Sequence, residues 1–334
     1  MNKISKIKYN FSISPLGVKT LFYLYRLKVI LFKIVNFGNS KVIPIRSKDQ
    51  TNIPIIFFIV GSGRSGNTLL RAILNSNNNI VIPPELYSFR QIIVTTLKNR
   101  HLSWEQLCML VVDLFFSTPD IDVWKINKSE LLQDLHLYDK DSQTASNLIL
   151  AFHEYYVKKH ANNNNIIIGD KTPLNAYSVW WITELFPQAK FIHMHRDGRD
   201  VALSYVKSGL YNSYVKAAYR WNRSVSHVLK FERKLGSTSK IVKCSYENLV
   251  LQPKLMVQKL CVFLQVEFSE EMLTSHQKQY ASMGDTTKFS HHDNVQKSVF
   301  TSSIGKWNKM EEDDIKLITP ILNENLKALK YINY

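Results

Sequence analysis

The spacing of apolar residues changes several times along the chain, and each change marks an element. Residues 21–37 read LFYLYRLKVILFKIVNF, an apolar run of 17 residues interrupted by Arg26, Lys28 and Lys33. Lys19, Arg26 and Lys33 recur every seven residues, which predicts a helix with these charges along one face. A proline-bounded stretch, 42–54, leads into IIFFIV at 55–60, an unbroken apolar run that predicts a parallel strand buried on both faces. Further strands are predicted at 79–82, 166–169, 190–194 and 240–245, most of them separated by helical stretches. That alternation predicts an α/β fold of three layers, a mostly parallel central sheet flanked by helices. Over 211–235 the apolar positions Tyr214, Ala218, Trp221, Val225, Val228 and Leu235 oppose a basic stripe of Lys216, Arg220, Arg223, His227, Lys230 and Lys234. That stripe reads as a solvated face that also suits an acidic glycan, protein or lipid surface. The asparagine runs 77–79 and 162–165 read as loops or helix ends, and MEEDD at 310–314 sets four acids on the positive end of a last helix.

Composition narrows the class. With 45% hydrophobic residues among 334, the chain can bury one large core or two modest ones, which excludes a small disulfide scaffold. Cys108, Cys244 and Cys261 are odd in number, form no CxxC and have no histidine at metal-ligand spacing. They are expected to be buried thiols, with no metal site. The net charge of +16 is unevenly spread: residues 1–50 hold ten Lys and Arg against Asp49, and the rest of the chain carries +7. We therefore expect a basic arm with an amphipathic helix over 1–50 and a catalytic domain over 51–334. Each basic residue costs about 2.5–3.5 kcal/mol at a bilayer centre, so the arm is not expected to span a membrane. Two readings stand for it: peripheral contact with an anionic membrane through residues 17–37, or packing on the protein's own body. No small-residue cleavage site follows, so a signal peptide is not expected.

The chemistry-bearing residues fall in two clusters. Gly61-Ser62-Gly63-Arg64-Ser65-Gly66-Asn67-Thr68 lies between a strand and a helix, where backbone amides and the helix N-terminus converge on an anion. Its spacing resembles a Walker A loop and makes the domain P-loop-like, but Asn67 stands where the phosphate-binding lysine belongs. An ordinary kinase or NTPase needs that lysine. Arg64 offers a planar cation instead. In KFIHMHRDGRDVALSYVKSG at 190–209 a strand ends at Arg196, a polar turn follows, and a helix carries Ser204. In an open parallel sheet this arginine emerges at the same rim as the glycine loop, suited to a second phosphate. Taken alone, Arg196 could equally pair with Asp197 or Asp200.

The loop GSGRSGNTLL, GDKTP at 169–173, KFIHMHRDGRDVALS, SYENL and IGKW together resemble the sulfotransferases that use 3′-phosphoadenosine 5′-phosphosulfate, over residues 55 to 331 and nearest the carbohydrate and tyrosylprotein branch. The resemblance implies that Gly63, Arg64, Ser65, Gly66, Asn67 and Thr68 hold the 5′-phosphosulfate. It further implies that Arg196 and Ser204 hold the 3′-phosphate, and that Tyr246 and Lys306 close over the nucleotide. It places Glu85, after two prolines that extend the chain, at the position of the catalytic base. Arg64 and Lys171 are then the cations that stabilise charge during in-line transfer, with no metal. A solvent-facing Glu85 at a helix start is the simpler alternative, and His193 and His195, on one face of a strand, are weaker rivals. Two departures from the family pattern, Ser62-Gly63 before Arg64 where proline is frequent and Asn67 where threonine is usual, lie at positions expected to act largely through the backbone, so binding is expected to survive, with the glycine loosening the loop.

The implied reaction is sulfuryl transfer to a hydroxyl or amine of a glycan, protein or lipid acceptor. Competing readings are an atypical P-loop kinase or nucleotide-binding protein, and a basic nucleic-acid-binding protein. Against the last, the sequence has no recognition-helix or zinc-finger pattern and no aromatic-interleaved basic motif. The arm fits a cytoplasmic, membrane-associated protein, while the resembling branch implies a lumenal enzyme of the Golgi membrane.

Overall fold

The five predicted strands form, and they pair into one all-parallel sheet. They are β1 (Ile56–Gly61), β2 (Ile80–Val81), β3 (Ile167–Asp170), β4 (Lys190–His195) and β5 (Ile241–Ser245), in the spatial order β2-β3-β1-β4-β5. Every residue of β1 is buried, as an unbroken apolar run at the centre of a sheet requires. Its register sets Phe57 beside Gly169 of β3 and Val60 beside His193 of β4. The computed structural model describes residues 3–35, 42–47, 56–161, 166–236, 239–274 and 303–333. The asparagine run 162–165 and most of the segment 265–301 lie outside the described residues.

The chain divides into two compact units. The sheet belongs to one, formed by Ile56–Glu85, Asn162–Tyr177 and Lys190–Tyr334; the other joins Met1–Ile55 to Leu86–Ala161 and Ser178–Ala189. The division drawn from charge at residue 50 therefore differs from the division made by packing.

The second unit is helical. Its elements are α1 (Lys3–Ser12) and α2 (Pro15–Val35), α4 (Phe89–Lys98), α5 (Trp104–Phe116), α6 (Lys128–His136), α7 (Ala145–His160) and α8 (Val179–Leu185). Aromatic contacts build its core: Phe115 stacks on Phe152 at 4.2 Å, and Trp124 meets the edge of His153 at 5.5 Å. The proline-bounded stretch is tied in by its backbone, Pro44 and Ile45 accepting hydrogen bonds from Ala145 and Ser146 at the start of α7.

In the sheet unit, α3 (Asn67–Asn75) follows β1, and α9 (Gly198–Lys207) and α10 (Tyr214–Leu235) follow β4. After β5 come α11 (Tyr246–Leu251), α12 (Pro253–Leu264), α13 (Glu271–Thr274) and α14 (Glu312–Ala328). Leu70, Ile73, Ile192, Met194, Val257 and Leu260 join one face of the sheet to α3 and α12 in a single apolar cluster. A second cluster packs Trp221 and Val225 of α10 against Val201 of α9 and Leu322 of α14. The basic stripe of α10 is solvated at Lys216, Arg223, Lys230 and Lys234, whereas Arg220 is half-buried with its guanidinium 5.1 Å from the Tyr177 ring. Glu312, Asp313 and Asp314 occupy the first turn of α14, on the positive end of its dipole. All three cysteines are buried and free, and burial pushes their thiols up, to about 12 for Cys108 and Cys244 and about 11 for Cys261.

Candidate active site

Parallel strands end at one rim, and the segments that leave it carry nearly all the expected site residues. The glycine loop follows β1, Glu85 follows β2, Lys171 follows β3, Arg196 and Ser204 follow β4, and Tyr246 follows β5. Lys306 opens a short 3₁₀ helix, Lys306–Lys309, after the turn at 303–305.

The loop is held by unusual backbone angles. Arg64 has φ 64°, rare for a residue with a side chain, and Gly66 has φ 95°, where a Cβ would lie 2.6 Å from the Tyr246 ring and 2.8 Å from Met194. Gly66 is the N-cap of α3, so no side chain caps that helix. Ser65 Oγ and Asn67 Oδ1 are buried and make no hydrogen bond among the described residues. A helix start with these groups around it suits an anion. Two contacts add to what the sequence showed here. Asn67 also uses its side chain, donating from Nδ2 to Ser62 O at 2.8 Å and bracing the loop from within. At Gly63 a Cβ would lie 2.6 Å from the Tyr205 hydroxyl, so close approach gives the glycine a steric reason as well.

Beside the loop lies a cavity of about 220 Å³. Arg64, Arg196, Lys207 and Lys306 line it, with Asp200 as the one acid among the described lining residues, so these residues give it a positive field. Ser204 and Ser208 supply hydroxyls. Arg64 Nε donates to Ser204 Oγ at 3.1 Å, and Arg196 Nη1 donates to Arg64 O at 3.4 Å. Arg196 Nη2 donates to Ser303 O, its guanidinium lies 4.6 Å from the Tyr246 ring centre, and its buried Nε makes no hydrogen bond among the described residues. The two candidate ion pairs of Arg196 resolve: it lies 3.6 Å from Asp200, while Asp197 takes Arg199 through two bonds of 3.0 and 2.6 Å.

Asp200 also fixes the turn that carries Lys306. Its two oxygens accept the amides of Gly305 and Trp307, each at 2.9 Å, and Arg199 stacks 3.6 Å from the Trp307 ring centre. The DGRD segment, the N-cap and first turn of α9, is thus a clamp on the segment 303–307, roughly a hundred residues further along the chain.

A second cluster joins Glu85, Lys171 and Thr68. Lys171 Nζ is in contact with Glu85 Oε1 and lies 3.5 Å from Thr68 Oγ1. The Lys171 side chain is 2% exposed and that of Glu85 16%, so Glu85 does not face solvent. Removing the Glu85 charge would leave Lys171 buried without this counter-ion.

His193 and His195 do share one side of β4, with ring centres 5.4 Å apart. Neither ring nitrogen of His193 is hydrogen-bonded among the described residues, and burial holds its pKa well below 6.5. Burial pushes His195 down to about 3. Its Nδ1 lies 2.9 Å from the Tyr331 hydroxyl, which donates to Glu247 Oε2 at 2.7 Å, so His195 Nδ1–H is the donor. Glu247 Oε1 accepts the Asp197 amide at 3.1 Å, and burial raises the Glu247 pKa. Both histidines are neutral when folded and gain protons when unfolded. Their contribution is complete above pH 6.5 and is lost as pH falls below it, at up to about 1.4 kcal/mol per pH unit for each. Urea unfolding at pH 7 and pH 5 should show this loss, and His193→Leu should reduce its slope.

A sequence profile described as the sulfotransferase family matches residues 54–270. The chain belongs to the sulfotransferase family. Among similar proteins, protein-tyrosine sulfotransferase 1 of Danio rerio is 24% identical over 96% of this chain and 89% of its own length. Protein-tyrosine sulfotransferase 1 of Homo sapiens is 26% identical over 81% of this chain and 69% of its own. The sulfotransferase domain from the Synechococcus PCC 7002 olefin synthase shares the fold, with a TM-score of 0.54 at 21% identity over 82% of this chain and 97% of that one.

For this sulfotransferase, four residues at the cavity were assigned no place there from the sequence: Asp200, Lys207, Ser208 and Ser303. Three could have been found from α9, because Asp200, Lys207 and Ser208 sit one turn from Ser204. Ser303 has no such signal, since only the fold brings it beside Arg196.

Proposed function

We propose that this sulfotransferase moves the sulfuryl group of 3′-phosphoadenosine 5′-phosphosulfate to the phenolic hydroxyl of tyrosine in a protein acceptor. The observation that carries the donor is the pairing of two anion-suited places at one rim, the loop with Ser65 Oγ and Asn67 Oδ1 unsatisfied among the described residues and the cavity lined by four cations. They fit a nucleotide with separated negative groups better than one with a single polyphosphate chain. Asn67, already committed to Ser62 O, supplies no cation for a γ-phosphate. The relatives named as protein-tyrosine sulfotransferases support the acceptor class.

When bound, the donor supplies an activated sulfuryl group and a phosphate leaving group. The glycine loop and the start of α3 hold its 5′ end, and Arg196 and Ser204 hold its 3′-phosphate. Lys171 and Arg64 place positive charge where negative charge grows during in-line transfer. Glu85 takes the proton of the acceptor hydroxyl, and its contact with Lys171 keeps carboxylate and cation at one place. Tyr246 and Lys306 border the nucleotide.

Calorimetry with 3′-phosphoadenosine 5′-phosphate and with ATP plus magnesium tests the donor. Binding of the first without metal, and at least about tenfold tighter than the second, is expected; the reverse order overturns the reading. Transfer of labelled sulfate to a tyrosine peptide, a glycan panel and a lipid panel tests the acceptor, and labelling of glycan or lipid alone refutes the tyrosine assignment.

A further inference from the structure

Helix α2 is apolar on two opposite faces. One face is packed inside its own unit: Val18 is fully buried, and Tyr25 stacks on Trp181 of α8 at 6.5 Å with Lys98 Nζ of α4 lying 5.7 Å from its ring centre. Trp181 Nε1 also donates to Ser12 O at 2.9 Å, just before the helix. The opposite face is open. Leu16, Tyr23 and Leu31 are 71%, 62% and 60% exposed, and Leu24 and Ile30 are exposed with them. These positions stand at intervals of seven, eight, fourteen and fifteen from Leu16, one stripe along the helix of roughly 22 Å. Ile7 and Phe11 of α1, four residues apart, are exposed as well.

Charge identifies the occupant. Residues 3–35 contain seven Lys and Arg and no Asp or Glu. Position 19 lies about 100° round the helix from the buried Val18, between the packed and the open face, and positions 26 and 33 follow it by whole heptads. A second copy of the chain would bring like charges together on this stripe with no carboxylate from the segment to pair them. No helix among the described residues is long and apolar enough to cross a membrane. An apolar stripe flanked by basic positions matches the boundary between acyl chains and anionic headgroups.

We propose that α2 lies in the surface of an anionic bilayer, with Leu16, Tyr23, Leu24, Ile30 and Leu31 in the acyl boundary and the basic flank on lipid phosphates. Its other face keeps its contacts with α4 and α8. The test is co-sedimentation of the full chain with vesicles of phosphatidylcholine and phosphatidylglycerol at about 3:1. Binding is expected, weakening at least about tenfold on vesicles of phosphatidylcholine alone and severalfold in about 0.5 M salt. These arms need no variant. Leu24→Glu with Leu31→Glu should lower binding at least about tenfold while circular dichroism stays unchanged, because both side chains are exposed. No binding to the mixed vesicles by the folded chain overturns the proposal, as does equal binding to neutral and anionic vesicles. A soluble dimer that the double variant converts to monomer, without vesicle binding, assigns the stripe to a copy-to-copy interface and overturns it too.

Discussion

Glu85→Gln should lower kcat by about 10²- to 10⁴-fold and change the affinity for 3′-phosphoadenosine 5′-phosphate by less than about threefold. Glutamine keeps the shape of the side chain and can still accept a hydrogen bond from Lys171, but it cannot take a proton from an acceptor hydroxyl. Stopped-time transfer assays at saturating donor, with calorimetry on the same variant, read the two quantities separately. A purely structural ion pair predicts a different result. In that case the lost turnover would come only from leaving Lys171 buried without its counter-ion, and Glu85→Gln with Lys171→Met would restore both stability and turnover. Unaltered turnover in a folded Glu85→Gln protein removes Glu85 from the mechanism.

Arg196→Ala should weaken binding of 3′-phosphoadenosine 5′-phosphate by about 10²-fold or more, with kcat/KM for the donor falling in parallel. The arginine is 7% exposed, and it meets Arg64 O, Ser303 O, Asp200 and the Tyr246 ring. A buried guanidinium held on several sides enters its site already oriented, so its loss is felt in full. Lys306→Ala should cost only a few-fold by comparison, because that side chain is exposed and its charge is screened by water. Equal effects of the two substitutions would show that the cavity acts through net charge alone, and not through the fixed geometry of Arg196.

Much of the site's placement was legible from residue order. The glycine loop, the strand ending at Arg196 and the strand before Lys171 were each visible as an apolar run passing into a polar turn, and a parallel sheet brings such turns to one rim. What could not be read is what each side chain meets. Asn67 looked like a lost lysine, but it braces the loop on Ser62 O. Gly63 looked like a source of freedom, but the Tyr205 hydroxyl occupies the space of its missing side chain. Both contacts require the folded loop, in the second case with a residue more than a hundred positions away. The arm shows the same limit. Its heptad of cations was plain, yet a helix with apolar residues on all other sides gives no indication of which side is covered until α4 and α8 are in place.

The sequence by itself determined the element types, the parallel sheet and a glycine-rich loop between strand and helix, because local periodicity and backbone chemistry decide these over a few residues. The tertiary structure decided the strand order β2-β3-β1-β4-β5, the meeting of Glu85 with Lys171 and the clamp of Asp200 on Gly305 and Trp307. Those contacts join residues between 86 and 107 positions apart, and no local pattern encodes a distance that only a packed core can close.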